Sequence, residues 1–134
     1  MKKSIPLLAM VIALSLVLTA CGSNGPATDI KVDMTNFTFT PNHFSIPAGK
    51  EISLTLTNSG DVVHEFVIMK LGTTVGADFG PEDEPNIYWE IEVQPGSNET
   101  ATFTAPTPGE YQVVCGISGH FMAGMIASLT VVAP

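Results

Sequence analysis

Cys115, His120 and Met125 stand near the end of the sequence with four residues between each pair. A thiolate, an imidazole and a thioether are all metal donors. Gly116, Gly119 and Gly124 interrupt the stretch and let a loop between two strands turn tightly. Such a loop can fold the three donors onto one point. A second imidazole is available from His64, on an earlier strand-like run. The set suits copper. Cu(I) favours soft sulfur and Cu(II) favours nitrogen, and two histidines and a cysteine in a plane with a long axial methionine serve both states. The expected cofactor is a single Cu(I)/Cu(II) ion on His64, Cys115, His120 and Met125. The expected chemistry is the gain and loss of one electron with little rearrangement.

The cysteine count sharpens this. There are two cysteines, Cys21 and Cys115. Met1-Lys2-Lys3 is a short basic start, and residues 4–18 are almost wholly apolar. Leu18-Thr19-Ala20-Cys21 then places small residues at a cleavage point. This is the layout of a signal peptide, and the apolar run is short and wrongly flanked for a membrane span. Leu18, Ala20 and Cys21 resemble a bacterial lipobox, which implies removal of residues 1–20 and acylation of Cys21. Acyl chains contribute about 0.8 kcal/mol per buried methylene, so Cys21 would hold the protein at a membrane surface. Cys115 is then alone, and no disulfide can form within the domain. A free thiol in an exported compartment calls for burial or ligation.

Composition excludes other classes. The sequence has 5 basic and 13 acidic residues, and arginine is absent. Removing Lys2 and Lys3 leaves only Lys31, Lys50 and Lys70 as cations. Nucleic-acid binding needs clustered positive charge and is not expected. An acidic surface instead suits a basic partner, or serves solubility alone.

The elements that must position the donors read as strands throughout. Residues 21–28 read as a lipid-anchored tether, and 29–134 as one domain. Candidate strands are Asp29–Met34, Phe37–Thr40, His43–Pro47, Glu51–Thr57, Val62–Met69, Ile87–Val93, Glu99–Thr104, Glu110–Val114 and Met125–Val132. Ile52, Leu54 and Leu56 alternate with Ser53, Thr55 and Thr57, the period of a half-buried strand. Pro47-Ala48-Gly49, Asn58-Ser59-Gly60, Gln94-Pro95-Gly96 and Thr107-Pro108-Gly109 mark turns between them. The spacing suggests a sandwich or a barrel. Residues 71–86 break the rhythm with Gly72, Gly76, Gly80, Pro81 and Pro85, and carry the acidic run Glu82-Asp83-Glu84. They read as a surface excursion, with a short helical turn at most. The acidic run is either a solvated face or a docking patch for a basic partner.

The two separate motifs, Asn58-x-Gly60-x-x-x-His64 and Cys115-x4-His120-x4-Met125, resemble those of the cupredoxins, the plastocyanin/azurin superfamily of blue-copper proteins. The loop spacing is most similar to the auracyanins and rusticyanin. The resemblance spans about residues 29–132. It implies a Greek-key antiparallel β-sandwich of about seven to nine strands. It also implies that His120 presents its ring edge through an apolar patch with Phe121, Met122 and Ala123. One position departs from the azurin and plastocyanin pattern: the residue after the first histidine is Glu65 instead of asparagine. A carboxylate cannot donate as an amide does. Glu65 either caps loop N–H groups or faces solvent.

Other candidates carry less. His43 precedes Phe44 and Ile46 in a strand and is assigned no ligand role. Met34, Met69 and Met122 read as core or surface residues. Asn36-Phe37-Thr38 and Asn98-Glu99-Thr100 match glycosylation acceptors, which the bacterial lipobox argues against.

The expected function is one-electron transport at the outer face of the cell membrane by a monomeric, exported bacterial lipoprotein. Its donor and acceptor would be redox proteins. Copper handling, as a chaperone, storage or resistance protein, is the alternative, although no methionine-rich run supports it. Enzymatic activity is not expected. A multicopper oxidase needs further histidines and a His-Cys-His element, whereas Val114 and Gly116 flank Cys115. A binuclear copper centre needs a second cysteine in the loop.

Overall fold

The computed structural model describes residues 25–134. The expected signal peptide (1–20), the acylated Cys21 and the first half of the tether lie outside the described residues. Nine strands follow in order: β1 (Asp29–Thr35), β2 (Thr38–Thr40), β3 (His43–Pro47), β4 (Glu51–Asn58), β5 (His64–Met69), β6 (Ile87–Val93), β7 (Asn98–Thr104), β8 (Gly109–Val114) and β9 (Ile126–Val132). Each matches an expected strand to within two residues. A 3-10 turn at Glu84–Asn86 is the short helical piece expected in the excursion.

The strands form two sheets, ordered β2-β1-β4-β7 and β3-β9-β8-β5-β6. The sandwich expected from the resemblance is therefore present. Five of the strand pairings are antiparallel, but β1 pairs with β4 and β3 with β9 in parallel.

Alternation explains the core. In β4 the side chains of Ile52, Leu54, Leu56 and Asn58 point inward, and those between them face out. They meet Phe44, Phe66, Ile68, Val113 and Leu129 from the facing sheet. Burying each large apolar side chain contributes roughly 1.5–3 kcal/mol. β5 is different, because both of its faces are covered. Phe66 and Ile68 face the sandwich interior, whereas Val67 and Met69 face outward into a second cluster with Val75 and Val114. The 71–86 excursion lies over that outer face.

The topology sets two ends. β4 runs from Glu51 to Asn58, and the loop beyond it leads to His64. β1 runs beside β4 in the same direction, from Asp29 opposite Ser53 to Met34 opposite Asn58. The chain therefore enters the domain at the end remote from His64. Ala27 N–H donates to Ser45 O, and Thr28 O accepts from Ser53 N–H. The domain's hydrogen bonding thus begins two residues before the expected boundary at Asp29. Among the described residues no helix is long and apolar enough to cross a membrane.

Candidate metal centre

β5, β8 and β9 bring the donors together. β8 lies between β9 and β5 and is antiparallel to both. Cys115 follows the last residue of β8, His64 opens β5, and Met125 precedes β9. All three fall at the same end of one sheet. The loop from Gly116 to Gly124 bridges β8 to β9 and carries His120 over them.

The loop is held by its own backbone. His120 N–H donates to Ile117 O, Ala123 N–H to Gly119 O, and Gly124 N–H to Phe121 O. Met125 N–H donates to His120 O, and Cys115 N–H to Met125 O, at 3.0 and 3.2 Å. Cys115, His120 and Met125 therefore share one hydrogen-bonded frame. Gly119 and Gly124 take φ of +84° and +96°, which side-chain-bearing residues adopt only under strain.

Three donor atoms converge. His64 Nδ1 and His120 Nδ1 lie 3.2 Å apart, Cys115 Sγ lies 3.3 Å from His120 Nδ1, and Cys115 Sγ lies 4.0 Å from His64 Nδ1. A point equidistant from all three is about 2 Å from each, close to the bond lengths of a first-row metal to imidazole nitrogen and thiolate sulfur. At these distances a ring N–H of one tautomer can bridge to a neighbouring donor atom. Burial lowers the pKa of both imidazoles, and for His64 the neighbouring His120 lowers it further. The neutral form of both rings, the one that ligates a metal, is thereby favoured, and a metal ion fits among the three donors. His64, Cys115 and Met125 are fully buried, and His120 is half-buried. Burial pushes the Cys115 thiol up, against the pull of the Glu65 and Ile117 backbone N–H groups. A cation bound among the donors would favour the thiolate that burial disfavours.

The surroundings fix the histidines. Asn58 is fully buried; its Nδ2 donates to Val62 O and Val93 O, and its Oδ1 accepts from Gly60 N–H. It knits the β4–β5 loop in front of His64. A Cβ on Gly60 would stand 2.6 Å from Asn36 Oδ1 and 3.1 Å from His64 Nε2, so that glycine permits a close approach. Phe37, at the β1–β2 turn, has φ +68° and sets its ring edge-on to His120 with centroids 4.9 Å apart. A positive φ is rare for a bulky residue and marks a constraint imposed by the fold.

The Glu65 side chain caps no loop N–H among the described residues; it is half-buried and borders a surface groove with Glu84 and Glu90. Continuing the β5–β8 register from Val67↔Val114 places it opposite Gly116. Its carboxylate lies over that glycine, where a Cβ would come within 2.1 Å of Oε2. Its backbone N–H, however, donates to Cys115 Sγ at 3.3 Å. Burial raises the Glu65 carboxyl above the ordinary range, and Glu90, Glu92 and Glu84 raise it further.

Of the expected surface patch, Met122 is 68% exposed and Ala123 is exposed. Phe121 is half-buried and turns toward the second apolar cluster. Phe37, which sequence reading passed over, is 41% exposed and adds to the apolar surface beside His120. His43 lies outside the centre and bonds Ser128 Oγ through Nδ1 at 2.8 Å. Met34 and Met69 are buried in the two cores. Asn58 stood in a quoted motif, but its threefold bonding could not be read from spacing. Nothing in the sequence signals the strained Phe37.

The family model of the cupredoxin-like domain matches residues 8–127. Auracyanin-B of Chloroflexus aurantiacus is 30% identical over 109 residues, covering 69% of this chain and 46% of its own length. The chain thus spans under half the length of that relative. Auracyanin-A of the same organism is 28% identical over 144 residues, covering 85% of this chain and 88% of its own. The crystal structure of dithionite-reduced auracyanin from the photosynthetic bacterium Roseiflexus castenholzii superposes with a TM-score of 0.69 at 31% identity. It covers 81% of this chain and 99% of that one.

Proposed function

The chain belongs to the cupredoxin-like domain family, and on that premise we propose that it is a one-electron carrier with a mononuclear type 1 copper site. His64, Cys115, His120 and Met125 would hold the ion. The observation that carries this reading is the convergence of the three donor atoms within 4.0 Å. Copper bound there would supply a reversible Cu(I)/Cu(II) couple.

The rest belongs to the chain. Two sheets and a self-bonded loop hold the donors in place, so little needs to move when the charge changes. The Glu65 N–H supports the thiolate sulfur. Asn58 keeps the His64 loop from shifting. His120, half-buried beneath Phe37 and beside exposed Met122, is the ligand nearest the surface and the natural exit.

We place the protein outside the cytoplasm, acylated at Cys21 on the outer membrane face of a bacterium, where it would serve redox proteins of an electron-transport chain as a monomer. Its acidic surface suits partners with basic docking faces. The test is to add one equivalent of Cu(II) to the metal-free protein and record visible and electron spin resonance spectra. We expect an intense blue band and a narrow copper hyperfine splitting, both lost with ascorbate and restored on reoxidation. Cys115→Ala should abolish the colour and leave the sandwich folded. Colour retained in that variant would refute the ligand assignment. Tight Cu(I) binding with no stable coloured Cu(II) form would favour copper handling instead.

A further inference from the structure

The ligand loop bonds chiefly to itself, but one side chain from another segment reaches its backbone. Gly119 N–H donates to Asp78 Oδ2 at 2.9 Å. Gly119 immediately precedes His120 and takes a left-handed φ of +84°. A bond to this N–H therefore fixes the entry to the ligand itself.

Asp78 is held from behind. The excursion that carries it bonds to β8, where Val75 N–H donates to Gln112 Oε1 at 2.7 Å. Val75 is 4% exposed and packs with Val67, Met69 and Val114. Phe79 adjoins the same cluster, as does Phe121 from the ligand loop. Gly80 N–H donates to Asp83 Oδ2, closing the turn that follows. Asp78 thus stands between two anchored points, at Val75 and at Gly80. Its second oxygen, Oδ1, is buried and has no hydrogen-bond partner among the described residues. The hydrogen bond to the ligand loop is therefore the one this carboxylate makes among the described residues.

We propose that Asp78 is a positioning residue of the metal centre, clamping the His120 loop to the excursion and setting a fixed negative charge beside that ligand. The clamp is a property of the protein without metal. The charge effect rests on the copper reading given above. A hydrogen bond to a carboxylate is stronger than one to a neutral acceptor. A negative charge near the centre stabilises the more positive Cu(II) form and so lowers the reduction potential.

The experiment compares wild type, Asp78→Asn, Asp78→Ala and Glu110→Gln. The last removes an equal charge at the far end of β8. In metal-free protein, Gly119 amide exchange should be at least about tenfold faster in Asp78→Ala, as expected for losing a bond to a charged acceptor. Asp78→Asn keeps an acceptor and should stay closer to wild type. In copper-loaded protein, both Asp78 variants should shift the midpoint potential upward, and Glu110→Gln should leave it in place. Unchanged Gly119 exchange in Asp78→Ala would overturn the clamp. An unchanged potential in Asp78→Asn, or an equal shift in Glu110→Gln, would overturn the charge effect. Failure of wild type to take up copper, with the exchange difference intact, would instead count against the copper reading alone.

Discussion

The expected donors were legible because metal ligation demands few residue types, and three of them are spaced around glycines in one stretch. Their neighbours were not, because their roles depend on who lies across the sheet. Glu65 shows this. Its identity was plain, but its contact with Gly116 is a product of β5–β8 register. Its raised pKa gives a sign. A carboxyl that holds its proton more tightly when folded favours the fold below its unfolded pKa, near 4.5, and loses that advantage as pH rises through the folded value. At neutral pH the ionised Glu65 therefore works against the fold. Glu65→Gln should raise the thermal midpoint at pH 7, with the gain vanishing as the pH falls to about 4. A gain constant across that range would show that packing, not charge, is responsible. Met125→Leu should keep copper and shift its potential, because a thioether would tune an ion held chiefly by the two imidazoles and the thiolate. Complete loss of copper binding would make Met125 essential to the site.

At the scale of elements, alternation and turn residues revealed all nine strands. They did not reveal the partners. Nothing in β1 or β3 signals that each pairs in parallel, since that depends on the order of strands in the sheets. The excursion was read as surface because Gly72, Gly76, Gly80 and two prolines hide its one buried apolar residue, Val75, which no period announces. Its burial becomes intelligible only once β5 is seen to be apolar on both faces. Val75→Ala removes two buried methyl groups, each worth about 0.8 kcal/mol, so stability should fall by roughly 1.5 kcal/mol. Denaturant unfolding would measure it. A loss near zero would mean that the excursion is not seated on the sheet as described.

For the whole molecule, the domain and its sandwich were readable from the chain, whereas the relation of its ends was not. That relation needed the parallel pairing of β1 and β4, which carries the chain about 20 Å from its entry to the level of His64. Cys21→Ser should leave the copper site intact and move the protein from the membrane fraction to the soluble one, since a lipid chain is the proposed hold. Retention at the membrane would point to another attachment. With the proposed anchor joined at one end and the donors at the other, lipidation at Cys21 would leave the redox face at the end away from the attachment. Encounters would then be a search in a plane, raising the local concentration of any partner tethered to the same surface. The rate of delivery would follow the number of molecules per area of membrane, and would stay nearly constant however far the surrounding fluid is diluted.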